Sequence, residues 1–315
     1  MEAPVQPRMR IVLFGTSEFA IPSLEAIMGS RHELLCAVSR PPRPAGRGRK
    51  LRHPPVCTFL MDHHLQVHQP PELSEGFIAT LADLGPDVMV TAAYGAWLPD
   101  ALLAVAGLGV VNVHPSLLPL YRGAAPVTRA ILDGRDETGV SFMLTDSGWD
   151  TGPLLASFPL SVEERDTTGT LESRLARLAG SRIVQVLEEY RSGMLAPVPQ
   201  VGEPIYAEKV KPEETWLDWD LPAEELERRV RAFQPSPGAR TSYRGRLLKI
   251  TEASLSSGEL PPGEVLLDDG NLLVGCGGGG ALRVTRLQPE SRREMSAGEF
   301  LRGAGMESGD SFKGA

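Results

Sequence analysis

The chain has 315 residues, of which 42% are hydrophobic and 23% are charged, and its formal net charge is −8. This composition is typical of a globular protein and excludes a mainly disordered, collagen-like or coiled-coil chain. The length predicts two domains, because single cores rarely grow beyond about 250–300 residues. The negative charge argues against a protein that coats nucleic acid through bulk charge, so contacts with phosphates would have to come from local basic segments.

Membrane spans and metal centres are not expected from the sequence. No apolar run approaches the ~20 residues that a membrane span needs, and the first ten residues lack the apolar stretch of a secretory signal. We therefore expect a cytoplasmic protein. The cysteines Cys36, Cys57 and Cys276 are odd in number and far apart. We expect three buried thiols, with neither a disulfide framework nor a metal site.

The first half of the chain alternates between predicted strands and helices. Residues 10–15 (RIVLFG) form a short apolar run that ends in glycine, as in a central strand buried on both faces. Further strands are predicted at residues 34–38, 88–93 and 109–113, and helices at residues 56–63 and 74–84. This alternation predicts a doubly wound, mostly parallel, Rossmann-like sheet. The turn after the first strand lacks the further glycines of a dinucleotide-binding loop, which argues against NAD.

The second half of the chain has a different pattern. An amphipathic helix is predicted from residue 170 to 191, and proline and small residues follow it. After one more helix, at residues 222–233, short strands separated by glycine-rich turns favour a small antiparallel β-barrel of the OB-like type. We therefore predict a catalytic domain at residues 1–191, a linker at 192–208 and a smaller barrel domain at 209–315. Residues 303–315 are predicted to be a frayed tail.

The candidate catalytic residues follow the strand predicted at 109–113. Asn112 and His114 alternate along the chain, so their side chains project to the same side. The carboxyl ends of parallel strands carry the ligand sites of open α/β sheets. An asparagine amide can donate to a developing oxyanion, and a histidine can accept or orient a proton. A second polar loop contains Asp146 and Asp150, and either carboxylate could hold the imidazole.

The two motifs NVHPSLLPLYRGAAP (residues 112–126) and DSGWDTGP (residues 146–153) together resemble the signature of the folate-dependent formyltransferases. The resemblance implies that Asn112, His114 and Asp150 are catalytic, and it selects Asp150 over Asp146 as the acid. Asp146 then serves the turn through hydrogen bonds to nearby backbone N–H groups. The resemblance also implies a folate-binding loop formed by Ser116, Leu117, Leu118 and Pro119.

The resemblance implies a reaction as well. The formyl group of 10-formyl-tetrahydrofolate would pass to an amine through a tetrahedral intermediate, with Asn112 and His114 as donors to the oxyanion and no metal. Two further segments, RPAGRGRKL (43–51) and RAFQPSPGA (231–239), resemble the members that act on methionylated initiator tRNA. The tRNA contacts would come from Arg43, Arg47, Arg49 and Lys50. We expect a monomer.

Alternatives remain at this stage. A formyltransferase for a small amine, such as glycinamide ribonucleotide or an amino sugar, would share the Asn-His-Asp set but would not need the basic segment or a second domain. A catalytically inactive folate- or RNA-binding module would lack one of the three residues. The aromatic residues Tyr94, Trp97 and Tyr121 are equally consistent with core packing and with lining a pterin pocket.

Overall fold

The computed structural model describes residues 8–45 and 50–314 and divides into two compact units. Among the described residues, the first unit comprises those up to Gly123 together with Glu137–Ser161 and Glu172–Tyr206. The second unit comprises Ala124–Asp136, Val162–Leu171 and the residues from Ala207 onward. The three cysteines are free and buried, as predicted. Within the described part of the chain, no helix has the length and apolar character that a membrane span requires.

The described residues form the following strands and helices. The strands are β1 (Arg10–Gly15), β2 (Glu33–Val38), β3 (Arg43–Ala45), β4 (Lys50–Arg52), β5 (Val67–His68), β6 (Val88–Ala92), β7 (Val110–His114), β8 (Arg122–Gly123), β9 (Glu137–Leu144), β10 (Leu154–Ser161), β11 (Tyr206–Ala207), β12 (Ala239–Tyr243), β13 (Arg246–Ser256), β14 (Val265–Asp268), β15 (Asn271–Gly275), β16 (Ala281–Pro289), β17 (Met295–Ser296) and β18 (Phe312–Lys313). The α-helices are α1 (Ile21–Met28), α2 (Pro55–Asp62), α3 (Glu75–Asp83), α4 (Asp100–Leu103), α5 (Pro126–Leu132), α6 (Thr168–Arg191), α7 (Ala223–Ala232) and α8 (Ala297–Ala304), with 3-10 turns at Glu18–Ala20 and Pro212–Thr215.

The first unit is built on a seven-stranded sheet with the order β10-β9-β7-β6-β1-β2-β5. The five strands from β7 to β5 are parallel, which confirms the predicted mostly parallel sheet. Strand β1 is apolar along nearly its whole length because Val12 and Phe14 on one face and Ile11 and Leu13 on the other are all buried. The carboxyl ends of β1, β2, β6 and β7 therefore share one edge of this sheet, where the loops that follow them can meet.

Strands β9 and β10 extend the sheet in the antiparallel sense beyond β7, with His114 opposite Ser141. They pack closely against the loop that follows β7. A Cβ atom at Gly139 would lie 2.5 Å from the Leu117 side chain and 2.3 Å from a carbonyl oxygen of β10, so only glycine fits at this position. The pair β9 and β10 brackets residues 145–153 and holds both ends of that loop in the sheet.

The second unit contains an antiparallel sheet with the order β14-β15-β16-β13-β12-β18, and β17 pairs with β16. The predicted frayed tail is wrong for the described residues 303–314. Strand β18 pairs with β12, and the side chains of Met306 and Phe312 are buried. Backbone hydrogen bonds also join Val265 to Asp310 and Phe312 to Gly263. A two-residue strand has no periodicity, so its burial was not visible in the sequence.

Candidate active site

Strand β7 positions the first two candidate residues. It lies between β6 and β9, and its apolar residues Val111 and Val113 are buried. Asn112 and His114 alternate with them and project to the opposite face, as the strand geometry predicts. Asn112 is half-buried and His114 is buried. Both side chains are thus held by a central strand, which is a more rigid support than a loop.

Asp150 lies between these two side chains. Its Oδ1 accepts a hydrogen bond from the Asn112 Nδ2 at 3.2 Å, and its Oδ2 lies 3.6 Å from the His114 Nδ1. The Gly123 N–H also donates to Oδ2, at 2.8 Å. The backbone φ of Asp150 is +52°, a left-handed conformation that costs energy in a residue with a side chain. The surrounding hydrogen bonds hold this conformation, and it aims the carboxylate at β7.

The contacts of His114 determine where its proton lies. Nε2 is 2.9 Å from the Tyr121 carbonyl oxygen. Because a carbonyl oxygen only accepts, Nε2 carries the hydrogen. In the neutral imidazole, Nδ1 therefore has a free lone pair, and this nitrogen faces the Asp150 carboxylate. Nδ1 is therefore the ring nitrogen that can accept a hydrogen, and it lies 3.6 Å from the Asp150 Oδ2.

Asp146 has a different set of partners. Its Oδ1 accepts from the Gly148 N–H at 3.0 Å and from the Thr151 hydroxyl at 2.7 Å. These bonds close the turn that precedes Asp150. A Cβ at Gly152 would lie 1.8 Å from the Leu144 carbonyl oxygen, so the loop can pass this strand only with glycine. The glycines and Asp146 of the second motif therefore shape the loop that presents Asp150.

The loop Ser116 to Pro119 is anchored mainly by its own backbone and by β9. The Ser116 hydroxyl donates to the Leu120 carbonyl at 2.6 Å. The Ser141 hydroxyl on β9 donates to the Ser116 carbonyl at 2.8 Å and accepts from the Leu118 N–H at 3.1 Å. The side chains of Ser116, Leu118 and Pro119 are buried, and Leu117 is half-buried. Contacts with a ligand would therefore come chiefly from the loop backbone.

The predicted aromatic candidates divide into two groups. Tyr94 and Tyr121 are buried, and Tyr94 packs edge-on against Phe14 in the core of the first unit. Burial raises the pKa of the Tyr94 phenol. Trp97, by contrast, is exposed and contacts Trp149. The exposure of Trp97 shows that the core-packing interpretation is wrong for that residue, whereas Tyr94 packs in the core and Tyr121 is buried.

Gln200 is a residue of the site that the sequence did not reveal. Its Nε2 donates to the carbonyl oxygens of Asp150 and Gly152, both at 2.8 Å. Its Oε1 accepts from the Nε and Nη2 of Arg122, at 3.0 and 2.7 Å. The same segment pairs with β10, because the Val198 N–H and C=O bond to Leu154. A proline-rich composition suggested only a linker here, and no motif marked the glutamine.

The described residues include no group of three or more histidine, cysteine, aspartate or glutamate side chains arranged to hold a metal ion. The site brings together one amide, one imidazole and one carboxylate, along with backbone groups. This set suits the transfer of an acyl group to an amine, which needs a donor to an oxyanion and an acceptor for a proton.

Two family models match the chain. The model described as formyl transferase matches residues 9–187, and the model described as formyl transferase, C-terminal domain, matches residues 209–305. The chain belongs to the formyltransferase family. A methionyl-tRNA formyltransferase of Pelotomaculum thermopropionicum is 41% identical over 305 residues, which cover 96% of this chain and 97% of that relative. The family predicted from the two motifs is confirmed, and the chain is an enzyme.

Solved structures show the same fold for this formyltransferase. HypX from Aquifex aeolicus, in complex with tetrahydrofolic acid, has a TM-score of 0.64 at 19% identity; the match covers 94% of this chain and 48% of HypX, so the chain spans about half of the HypX length. An N-formyltransferase from Helicobacter canadensis, in complex with folinic acid and dTDP-3-aminofucose, has a TM-score of 0.66 at 14% identity. The match covers 90% of this chain and 100% of that protein. At these identities the likeness concerns the fold.

Two of the four predicted tRNA-contacting residues of this formyltransferase, Arg43 and Lys50, lie on a short hairpin. Arg43 on β3 and Lys50 on β4 are exposed, and their strands pair with each other. Arg47 and Arg49 lie outside the described residues. The hairpin follows β2, and β2 itself lies three strands from β7 in the sheet, about 14 Å from it at ~4.8 Å per strand. It starts from the same sheet edge as the loop after β7.

Proposed function

We propose that this formyltransferase transfers the formyl group of 10-formyl-tetrahydrofolate to the α-amine of methionine esterified to initiator tRNA. The observation that carries the chemistry is the Asp150 carboxylate, held between the Asn112 amide and the His114 imidazole. The relative at 41% identity over nearly both full chains supports methionyl-tRNA as the acceptor. Translation initiation, to which such a product contributes, supports a cytoplasmic enzyme.

The donor is 10-formyl-tetrahydrofolate, as in other members of the family. It is a substrate, and it supplies an activated formyl carbon. The buried side chains of Ser116, Leu118 and Pro119 support a loop that offers its backbone to the folate. Anchoring of this loop to Ser141 keeps those backbone groups in a fixed place, which reduces the entropy lost on binding.

In the proposed reaction, the acceptor nitrogen attacks the formyl carbon, a new C–N bond forms, and the C–N bond to the donor breaks. Negative charge develops on the formyl oxygen before that bond breaks. The Asn112 amide has two N–H groups, and one of them is bonded to Asp150. The second N–H is available to the oxygen, and such a donor contributes about 3 kcal/mol in related acyl transfers.

The proton of the attacking amine must also be removed. Nδ1 of His114 carries the free lone pair, so we assign proton uptake to this nitrogen, with Asp150 stabilising the charged imidazolium. A neutral His114 with its hydrogen on Nε2 has no second N–H to offer to the oxyanion. The role of His114 as an oxyanion donor, expected from the sequence, is therefore limited to its protonated form. The proton can then pass to the departing donor nitrogen.

The basic hairpin supports the tRNA assignment. Its exposed residues Arg43 and Lys50 suit the phosphate backbone of the acceptor arm, and we retain Arg47 and Arg49 as further contacts.

The domain limits remain our proposal: a catalytic domain at residues 1–191, a linker at residues 192–208 and a tRNA-binding domain at residues 209–315. Hydrogen bonds from β14 to the segment before β18 support a closed, OB-like barrel in the last of these. We further propose that the enzyme is a monomer.

The two aspartates of the second motif provide a direct test. Asp150→Asn keeps the size of the side chain but removes the charge that faces His114, so single-turnover formyl transfer should fall by roughly three orders of magnitude. Asp146→Asn is the matched control, and its rate should stay within about tenfold of the parent because it serves the turn. Thermal melting checks that both variants fold. An inactive Asp146→Asn beside an active Asp150→Asn would refute the proposed site.

A further inference from the structure

Two exposed tryptophans stand beside the proposed catalytic residues. Trp97 is 44% and Trp149 is 64% exposed, and their ring centroids are 5.1 Å apart at an interplanar angle of 60°. The other two tryptophans of the chain differ, since Trp219 is buried and Trp216 is half-buried. Leaving two indole rings in water forgoes the stabilisation that burial would give. An exposed aromatic pair of this kind typically marks a binding surface.

The catalytic loops fix the position of this pair. Trp149 immediately precedes Asp150, whose left-handed backbone is held by hydrogen bonds to Gly123 and Gln200. Trp97 lies in the loop after β6, the strand that neighbours β7. That loop is anchored by buried Tyr94, whose carbonyl accepts from the Thr16 hydroxyl at 2.8 Å. The indole rings therefore extend the proposed site outward to the solvent.

We propose that Trp97 and Trp149 form a stacking platform for the unpaired nucleobase at the 3′ end of the acceptor tRNA. The inference rests on the proposed function. The reacting methionine is esterified to the ribose that carries this base, so the base must lie within one nucleotide of the amine. Unpaired bases stack on exposed aromatic side chains, and the stacking is worth about 1–3 kcal/mol per base.

The exposure of the rings favours this occupant over the donor. A small ligand such as a folate binds in a concave pocket that buries most of its surface, with side chains around it. Trp97 and Trp149 are instead open to solvent on the described surface of the first unit. A macromolecule that approaches from solvent can cover these two exposed rings while its single-stranded end reaches the catalytic residues.

The test compares two acceptors and four variants. The acceptors are methionyl-tRNA and the same methionyl-tRNA with an abasic 3′-terminal nucleotide. The variants are Trp97→Ala, Trp149→Ala, the conservative Trp149→Phe and the control Met194→Ala, which truncates another exposed apolar side chain of the first unit. With the normal acceptor, each Trp→Ala change should lower kcat/KM about tenfold, mainly through KM for tRNA. Trp149→Phe should retain most of the activity, and the control should match the parent.

The abasic acceptor gives the decisive comparison. With the abasic acceptor, kcat/KM of the parent enzyme should already be about tenfold lower than with the normal acceptor. Neither Trp→Ala change should lower kcat/KM further, because the stacking partner is missing. Equal losses with both acceptors, or a rise in the KM for the donor instead, would overturn the platform. Absence of formyl transfer from the parent enzyme to normal methionyl-tRNA would instead refute the proposed function on which the platform depends.

Discussion

In the proposed mechanism, Asn112 performs two tasks through one amide group. One N–H holds the Asp150 carboxylate, and the other is available to the developing oxyanion. Removal of the amide would therefore leave Asp150 Oδ1 without this donor, with Oδ2 still bonded to the Gly123 N–H, and would also leave the oxyanion without the Asn112 N–H. The three residues act as a unit, so the effects of single changes should not be additive.

Asn112→Ala should lower turnover by about two to three orders of magnitude, the usual cost of losing an oxyanion donor. Steady-state kinetics with methionyl-tRNA, beside a thermal melt, measure this loss against folding. Asn271→Ala, at the only other asparagine of the chain, is the control and should keep its rate. Turnover of Asn112→Ala within a few-fold of the parent would remove Asn112 from the mechanism.

The sequence was informative about individual residues where chemistry demands a particular side chain. Strand alternation was enough to put Asn112 and His114 on one side, and the structure brings both of them to Asp150. The sequence could not show that Nε2 of His114 is bonded to a backbone carbonyl, because that contact depends on the path of the loop after β7. Only the structure could therefore show which ring nitrogen of His114 carries the hydrogen.

At the scale of elements, periodic segments were predictable and short or irregular ones were not. Strand β1 and helix α2 lie within one residue of their predicted limits. Strands β9 and β10 were missed, although they hold the loop that carries Asp150. Residues 198–200 lack periodicity, so the sequence could not indicate that they pair with Leu154 and reach the same loop. Their contacts are tertiary, and only the fold specifies them.

Gln200 should prove to be a positioning residue. Gln200→Glu keeps an oxygen for Arg122 but loses both N–H donors to the loop of Asp150, so kcat should fall about ten- to a hundredfold while the KM for the donor changes little. The control Gln185→Glu alters an exposed glutamine on α6 and should leave kcat unchanged. A kcat for Gln200→Glu equal to that of the control would show that the loop keeps its position unaided.

At the scale of the whole molecule, charge is distributed unevenly. The net charge of −8 repels a polyanion, whereas the segment from Arg43 to Arg52 contains no acidic residue. Attraction to tRNA should therefore be local and sensitive to salt, because each phosphate contact releases counterions. No periodic pattern predicts such a surface, but the run of basic residues is visible in the sequence.

Arg43→Ala combined with Lys50→Ala should raise the KM for tRNA and lower the salt slope of tRNA binding by about one for each phosphate that the hairpin no longer neutralises. Donor binding should be unaffected. Arg165→Ala with Arg177→Ala removes two other exposed positive charges and serves as the control for net charge. Equal changes in the two double variants would mean that bulk charge, rather than the hairpin, attracts the tRNA.

The identity of the acceptor is the central claim, and one assay tests it most directly. Purified enzyme and 10-formyl-tetrahydrofolate are incubated in parallel with methionylated initiator tRNA, glycinamide ribonucleotide and an amino-sugar nucleotide, and the formylated products are quantified. We predict formyl transfer to the tRNA-bound methionine and to neither small amine. Transfer to a small amine, with none to the tRNA, would contradict the proposed function.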